Sequence, residues 1–399
     1  MKDINNNFLS KKNVILRVDL NVPVHNGVIK EKSRIKAIKS TIKKLINQKN
    51  KIFILSHFGR PLGKRDKKFS LKFICSTLKK EFEINKIYFL DNLNNNKINN
   101  TINKMKFGEI CLFENIRFYP EEEKNDVNFI KKLSKNFDAY VNDAFSASHR
   151  QHSSIVGFPK VLPSFAGNSL LKEIESINSF IKNPKKPNIA IIGGSKISTK
   201  INLIKNLTNV FDFIVIGGAM ANTFLKIEKI DIGKSLYEKD FLKVAHNILK
   251  KAKNVNCKII LPIDVICSNT LSNKSNIIEC NVKNVLSDQM ILDVGPKTTE
   301  IISKHILKSN MILWNGPLGA IEYTPFRKSS VKVANIIKKH TKTKNISSLA
   351  GGGDTILAIK QAKAENGFTY ISKAGGAFLE WLEGKKIPGV IALNKNNIS

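Results

Sequence analysis

Three glycines precede an acid in "LAGGGDTILAIK" (349–360). Glycines opening a helical pattern leave bare backbone N–H groups at a positive helix terminus, which attracts phosphate. Asp354 would repel that phosphate unless a cation stood between them. Similar turns recur in "GGSKISTK" (193–200), "GGAMANTF" (217–224), "WNGPLG" (314–319) and "AGGAF" (374–378). Lys196 and Lys200 stand four apart behind the first of these, so both can reach one polyphosphate. None of the turns reads G-x-x-x-x-G-K-[ST] or G-x-G-x-x-G, which argues against a P-loop and a dinucleotide fingerprint. Together they point to a nucleotide site.

The first half carries different chemistry. Asp19 and Asn21 lie in "DLNVP", His57 and Arg60 in "SHFGRP", Arg117 in "ENIRF", and His149 and Arg150 in "NDAFSASHR"; Arg34 opens a helical stretch. Each motif follows an apolar run, and ligands of open α/β sheets bind beyond the C-terminal strand ends. Four arginines and a histidine at successive strand ends suit a small, highly anionic substrate, because guanidinium forks match phosphate and carboxylate oxygens. Asp19 and Asn21 could take hydroxyls. "HRQH" (149–152) lacks acidic or Cys partners at ligand spacing, so a metal pair is not expected there.

Positioning these groups requires a regular frame. "NVILRV" (13–18), "KIFILS" (51–56), "EICLFE" (109–114) and "FDAYVN" (137–142) read as buried strands, separated by helical patterns at 34–49 and 70–82. In the second half "NIAIIGG", "FDFIVIGG", "CKIILPID", "MILDVG", "MILWNG" and "ISSLAGGG" are six more strand candidates, with a helix over 238–253. The alternation predicts α/β architecture: two Rossmann-like domains, each a mostly parallel sheet flanked by helices. The amphipathic stretch 168–187 reads as a connecting helix stopped by prolines. The Asn-rich segment 92–106 reads as a solvated loop or a frayed helix.

With 399 residues and 42% hydrophobic composition, the chain can build more than one core. No apolar run reaches the ~18–20 residues of a membrane span, and the N-terminus lacks signal-peptide features. Five cysteines without a C-x-x-C pair read as free thiols in a reducing cytoplasm. The net charge of +34 invites a nucleic-acid reading. The lysines are spread along the chain among Asn and Ile, all with AT-rich codons, so compositional drift accounts for them and no specific nucleic-acid partner is expected.

"RVDLNVP", "RIKA", "SHFGRP", "ENIRF", "NDAF…SHR", "GGSKISTK", "GKSLYE" (233–238), "ILWNGPLGAIE", "AGGGDT" and "GGAFLE" occur in order along the chain. In this the sequence resembles the phosphoglycerate kinases over essentially its full length. The resemblance implies two domains facing across a cleft. Residues 1–168 would bind 3-phosphoglycerate or 1,3-bisphosphoglycerate, 169–187 would connect, 188–376 would bind ADP or ATP with Mg²⁺, and a tail of about 377–399 would pack back on the first domain. Asp19, Asn21, Arg34, His57, Arg60, Arg117 and Arg150 match the family's substrate residues. Lys196 would face the transferred phosphoryl group and Lys200 the nucleotide phosphates. Gly217 and Gly218 would lie along the adenine, and Glu322 would take ribose hydroxyls. Gly351, Gly352, Gly353 and Thr355 belong to the phosphate turn, with Asp354 directed at Mg²⁺. Arg34, Lys196 and Gly375 would act on the moving group. A glycolytic, cytoplasmic, monomeric enzyme is implied.

One departure stands out. The family usually reads Ser-Thr-Gly-Gly-Gly-Ala where this chain has Ser372-Lys373-Ala374-Gly375-Gly376-Ala377. Ala374 is expected to place a Cβ where positive φ is needed. A nicotinamide-dependent oxidoreductase, a nucleic-acid binder and a fold retained without activity are the competing readings. The first lacks its fingerprint, the second lacks basic clustering with interleaved aromatics, and the intact site residues oppose the third.

Overall fold

The computed structural model describes residues 1–5, 9–25, 27–344 and 346–396. The chain divides into two compact units, Met1–Ile174 with Lys386–Ser399, and Glu175–Lys385. The helix Asn168–Ile181 runs from one into the other. The expected tail differs in where it begins. Ala377, Phe378 and Leu382 are buried, and the Leu382 carbonyl accepts from Asn206 at 2.6 Å, so the helix Gly376–Leu382 stays with the second unit. Residues 397–399 of that tail lie outside the described residues.

The first unit holds β1 (Asn13–Arg17), a hairpin of β2 (Val24–His25) and β3 (Val28–Ile29), β4 (Lys51–Leu55), β5 (Ile87–Leu90), β6 (Ile110–Phe113), β7 (Ala139–Asn142) and β8 (Ser164–Ala166). The main sheet has the order β5-β6-β4-β1-β7-β8, every pair parallel. Strands such as β6, buried at all four positions, are covered on both faces and so read as continuous apolar runs. Val14, Leu16, Ile52, Ile54 and Leu112 build the core on one face with Ile35, Ile42 and Leu78 from the helices. Strand order reverses between β1 and β7, the kind of switch point beside which open α/β sheets bind ligands.

The second unit holds β9 (Asn188–Ile192), β10 (Phe213–Ile216), β11 (Lys258–Ile260), β12 (Asp264–Ser268), β13 (Ile278–Asn281), β14 (Met290–Val294), β15 (Met311–Asn315), β16 (Ser347–Gly351) and β17 (Tyr370–Ser372). Its parallel sheet runs β11-β10-β9-β15-β16-β17, reversing between β9 and β15. "MILDVG" forms a strand, β14, but in a separate antiparallel sheet β13-β12-β14. An apolar run does not specify its partner, and β12 and β13 mix polar with apolar residues and so did not stand out. Residues 95–104 form a full helix rather than a loop, because the Asn94 side chain accepts from the N–H groups of Asn96 and Lys97 and caps it.

Candidate active site

Parallel pairing places the ends of β1, β4, β6 and β7 on one edge of the first unit. The backbone turns at Asp19, whose Oδ1 accepts from the Asn21 N–H at 2.9 Å. The Arg34 guanidinium lies 2.8 Å from Asp19 Oδ2 and donates to the Asn21 carbonyl at 2.8 Å. Ser146, after β7, also donates to Asp19 Oδ2. Asn21 Oδ1 accepts from the Gly59 N–H at 2.9 Å, and Arg117 donates to the Gly59 carbonyl at 2.7 Å. Asp19, Asn21, Arg34 and Arg117 thus meet around the loop that carries His57 and Arg60. Arg60 is exposed and Arg150 half-buried.

Burial acts to raise the Asp19 carboxyl, but His57 when protonated, the charge of Arg34 and the hydrogen bonds from Ser146 and Asn21 hold it below its usual range. His57 itself is pushed well below 6.5, chiefly by burial, with Asp19 opposing and Arg17, Arg117 and Arg34 adding repulsion. We read His57 as neutral at physiological pH, so Arg34 carries the ion pair with Asp19. Burial and the neighbouring Arg150 lower Arg117 to about 10, against the pull of Glu123, whose carboxylate lies 3.2 Å away. His152 sits 3.8 Å from Glu122, yet burial and three arginines push it down to about 3.

Sequence reasoning missed Arg17. Only 1% exposed, it donates to Ser154 Oγ at 2.9 Å and lies 3.3 Å from His57 Nδ1. A guanidinium only donates, so His57 Nδ1 accepts and its proton sits on Nε2. The only hint was an arginine inside the apolar run "NVILRV".

In the second unit the strand ends carry backbone instead. A Cβ on Gly193 would stand 1.9 Å from the Pro317 carbonyl oxygen, and one on Gly218 2.5 Å from the Gly194 oxygen. Glycines here let three turns press against one another. The Gly218 N–H donates to the Leu318 carbonyl and the Gly217 N–H to Ile192, each at 2.9 Å. Asn315, also missed, links the Gly351 turn to Lys200: it donates to the Gly351 carbonyl at 2.6 Å and accepts from Lys200 Nζ. Thr355 is buried and its hydroxyl is committed to the scaffold, donating to the Gly351 carbonyl and accepting from the Gly316 N–H. Gly352 has φ of +99°, and the helix Gly353–Gln361 starts beside it with Asp354 in its first turn. Lys196 and Glu322 are exposed.

Burial lowers Lys200 to about 8, against the fields of Glu383 and Asp354. Asp354 is therefore electrostatically in touch with the lysine expected on the phosphates. Among the described residues no three His, Cys, Asp or Glu side chains gather as a metal cage. A single exposed carboxylate beside this glycine turn fits Mg²⁺, which takes one or two protein carboxylates and completes its shell with phosphate oxygens and water.

The turn at 374 corrects an expectation. Positive φ falls on Gly375, at +56°, where a Cβ would meet nothing; Ala374 is not among the left-handed residues. The left-handed position has kept its glycine, and the alanine sits where an L-residue is unstrained.

The whole arrangement can be set beside known proteins. Residues 1–385 match the sequence model described as phosphoglycerate kinase. The chain is 43% identical to the phosphoglycerate kinase of Rhizobium meliloti, covering 98% of this chain and 97% of that protein. It is 45% identical to that of Orientia tsutsugamushi, at 98% and 97% coverage. Among solved structures, phosphoglycerate kinase from Coxiella burnetii superposes with a TM-score of 0.89 at 37% identity over 99% of both chains. The enzyme from Pyrococcus horikoshii OT3 gives 0.82 at 28% identity over 99% and 98%. The order of motifs, the two switch-point sheets and these likenesses agree that the chain belongs to the phosphoglycerate kinase family.

Proposed function

We propose that the two units divide the family's reaction between them, the arginine edge holding the phosphoglycerate and the glycine edge the nucleotide. Family membership makes the chain a phosphotransferase that moves a phosphoryl group reversibly between 1,3-bisphosphoglycerate and ADP. The observation that carries the division is the cluster at the first sheet edge: Arg34, Arg117 and Arg17 around a neutral His57, with Asp19 already paired. Cations held this way, largely desolvated, suit a small ligand with both phosphate and carboxylate.

The acceptor carboxylate and the ADP phosphate are ionised near pH 7, so transfer needs no general base. The remaining tasks are positioning and charge stabilisation. Asp19 and Asn21 orient hydroxyl groups; Arg60, Arg117 and Arg150 bind anionic oxygens; His57 donates from Nε2. In the second unit Lys200 and the N–H groups of Gly352 and Gly353 meet the nucleotide phosphates, the Gly217–Gly218 turn lies along the base, and Glu322 takes the ribose. Lys196 and Arg34 flank the transferred group, with the Gly375 turn donating N–H. Mg²⁺, bound with the nucleotide, neutralises phosphate charge, and Asp354 is the residue that would hold it. In-line transfer between ligands on separate units requires a hinge movement. The reading includes a monomer in the cytoplasm; no helix among the described residues is long and apolar enough to cross a membrane.

A coupled assay of 1,3-bisphosphoglycerate formation from ATP and 3-phosphoglycerate, with and without Mg²⁺, tests the reading. Asp354→Ala is expected to weaken use of Mg-ATP and to leave the KM for 3-phosphoglycerate unchanged. A rise confined to the 3-phosphoglycerate KM would overturn the assignment of Asp354.

A further inference from the structure

The antiparallel sheet β13-β12-β14 carries chemistry that phosphoryl transfer does not use. Its register pairs Val265 with Cys280 and Cys267 with Ile278, so the two cysteines are diagonal neighbours on one face. Their sulfurs lie 4.0 Å apart. Cys267 is buried in a small core with Val265, Val282 and Ile291, while Cys280 at its border is half-buried.

This sheet also holds the loop around Glu322 from two sides. Pairing of β12 with β14 breaks between Ile266 and Cys267, which face Asp293 and Ile291 and leave Leu292 as an extra residue. The freed Leu292 carbonyl accepts from the Ala320 N–H at 2.9 Å. The connection from β12 to β13 supplies Asn273, whose Oδ1 accepts from the Thr324 N–H at 2.9 Å. Ala320 and Thr324 stand two residues either side of Glu322.

We propose that Cys267 and Cys280 form an oxidant-responsive dithiol whose closure to a disulfide shifts the Glu322 loop and weakens nucleotide binding. The oxidant is a peroxide. Cys280, the more accessible, attacks the peroxide oxygen; the O–O bond breaks, an alcohol or water leaves, and a sulfenic acid forms. The Cys267 sulfur then attacks that sulfur. The S–S bond forms, the S–O bond breaks, and the hydroxyl leaves as water with the Cys267 proton. Two thiols lose two electrons and one peroxide gains them. Burial pushes the Cys267 thiol up to about 12, which keeps it from reacting first. Diagonal cross-strand residues stand about 7–8 Å apart at Cα, just beyond the usual disulfide span of about 4.4–6.8 Å, so closure pulls the strands together and leaves a bond that reductants open readily. That pull acts at the bulge, and through Leu292 and Asn273 it reaches the Glu322 loop.

The effect on nucleotide rests on the assignment of Glu322 to the ribose, so the test separates the two. The full chain is treated with hydrogen peroxide, alkylated and digested. A peptide pair joined through Cys267 and Cys280, absent in Cys280→Ser and lost on reduction, is expected. The oxidised enzyme should show a KM for ATP raised about threefold, within the range for coupling through neighbouring contacts, with the 3-phosphoglycerate KM unchanged and recovery under dithiothreitol. If Cys280 is instead alkylated or over-oxidised with no joined peptide, the dithiol is overturned. A joined peptide with an unchanged ATP KM overturns the coupling to the loop. Glu322→Ala in the reduced enzyme tests the ribose assignment alone.

Discussion

In the proposed reading the two units meet anionic ligands by opposite means. At the first sheet edge, side chains do it: Arg34 and Arg117 reach across loops and are held by Asp19, the Asn21 carbonyl and the Gly59 carbonyl. At the second, backbone does it: turns press so closely that no Cβ fits at Gly193 or Gly218, and Asn315 and Thr355 fasten the neighbouring Gly351 turn. A site of side chains is specified by residue type and tuned by pairing charges. One of backbone is specified by what must be missing. The first should respond to loss of charge, the second to gain of volume.

The largest effects are expected at the two cations proposed to flank the moving group. Lys196→Ala and Arg34→Ala should each lower kcat by about 10²–10³, the loss typical of one preorganised charge donor. Arg34→Ala should also raise the KM for 3-phosphoglycerate, since it strips Asp19 and Asn21 of their partner, whereas Lys196→Ala should not. Steady-state kinetics with each substrate varied would show this; a Lys196→Ala enzyme near wild-type kcat removes Lys196 from the mechanism.

Next comes the glycine edge. Gly193→Ala should destabilise the second unit by about 3 kcal/mol, because the new methyl group meets the Pro317 backbone rather than a side chain that can turn away. At Gly353 a Cβ meets nothing within 4 Å, so Gly353→Ala should stay within about 0.5 kcal/mol. Equal losses in denaturant titrations would mean that close approach is not what demands glycine at Gly193.

A pH series sharpens the contrast further. Lys200, lowered to about 8 by burial, loses its charge as pH rises through that value. Bound phosphate favours the charged form, so the KM for ATP should rise several-fold between pH 7 and 9, up to about tenfold per pH unit once Lys200 is neutral. The KM for 3-phosphoglycerate should stay flat, because Arg117 remains charged until about 10. Lys200→Arg should remove the ATP dependence. The smallest effect is reserved for Ala374→Gly: with the left-handed conformation at Gly375, kcat should change less than about twofold and stability fall by about 0.5–1 kcal/mol from added chain entropy.

Much of the site was legible because strand ends are where α/β sheets place ligands. Asp19, Asn21, His57 and Arg117 follow apolar runs, Arg34 opens a helical stretch, and the structure brings them into one contact network. Arg17 escaped because it lies within a strand, where an arginine reads as an interruption rather than a support. Asn315 was hidden inside a motif noticed for its glycine. The strands β5, β8 and β17 were unread: β5 is only half-buried at three of its four positions, and the three residues of β8 and of β17 carry too little periodicity to separate from a loop.

By itself the sequence determined the class of fold and the family, and it pointed to two kinds of anion chemistry, because apolar period, residue type and motif order are local properties of a chain. Tertiary structure alone decided which groups meet. It set the neutral His57 against Arg17, buried Lys200 enough to lower it to about 8, and put two cysteines thirteen residues apart within 4.0 Å. Protonation and reactivity depend on desolvation and on neighbours distant in the chain, and neither exists until the sheets have formed.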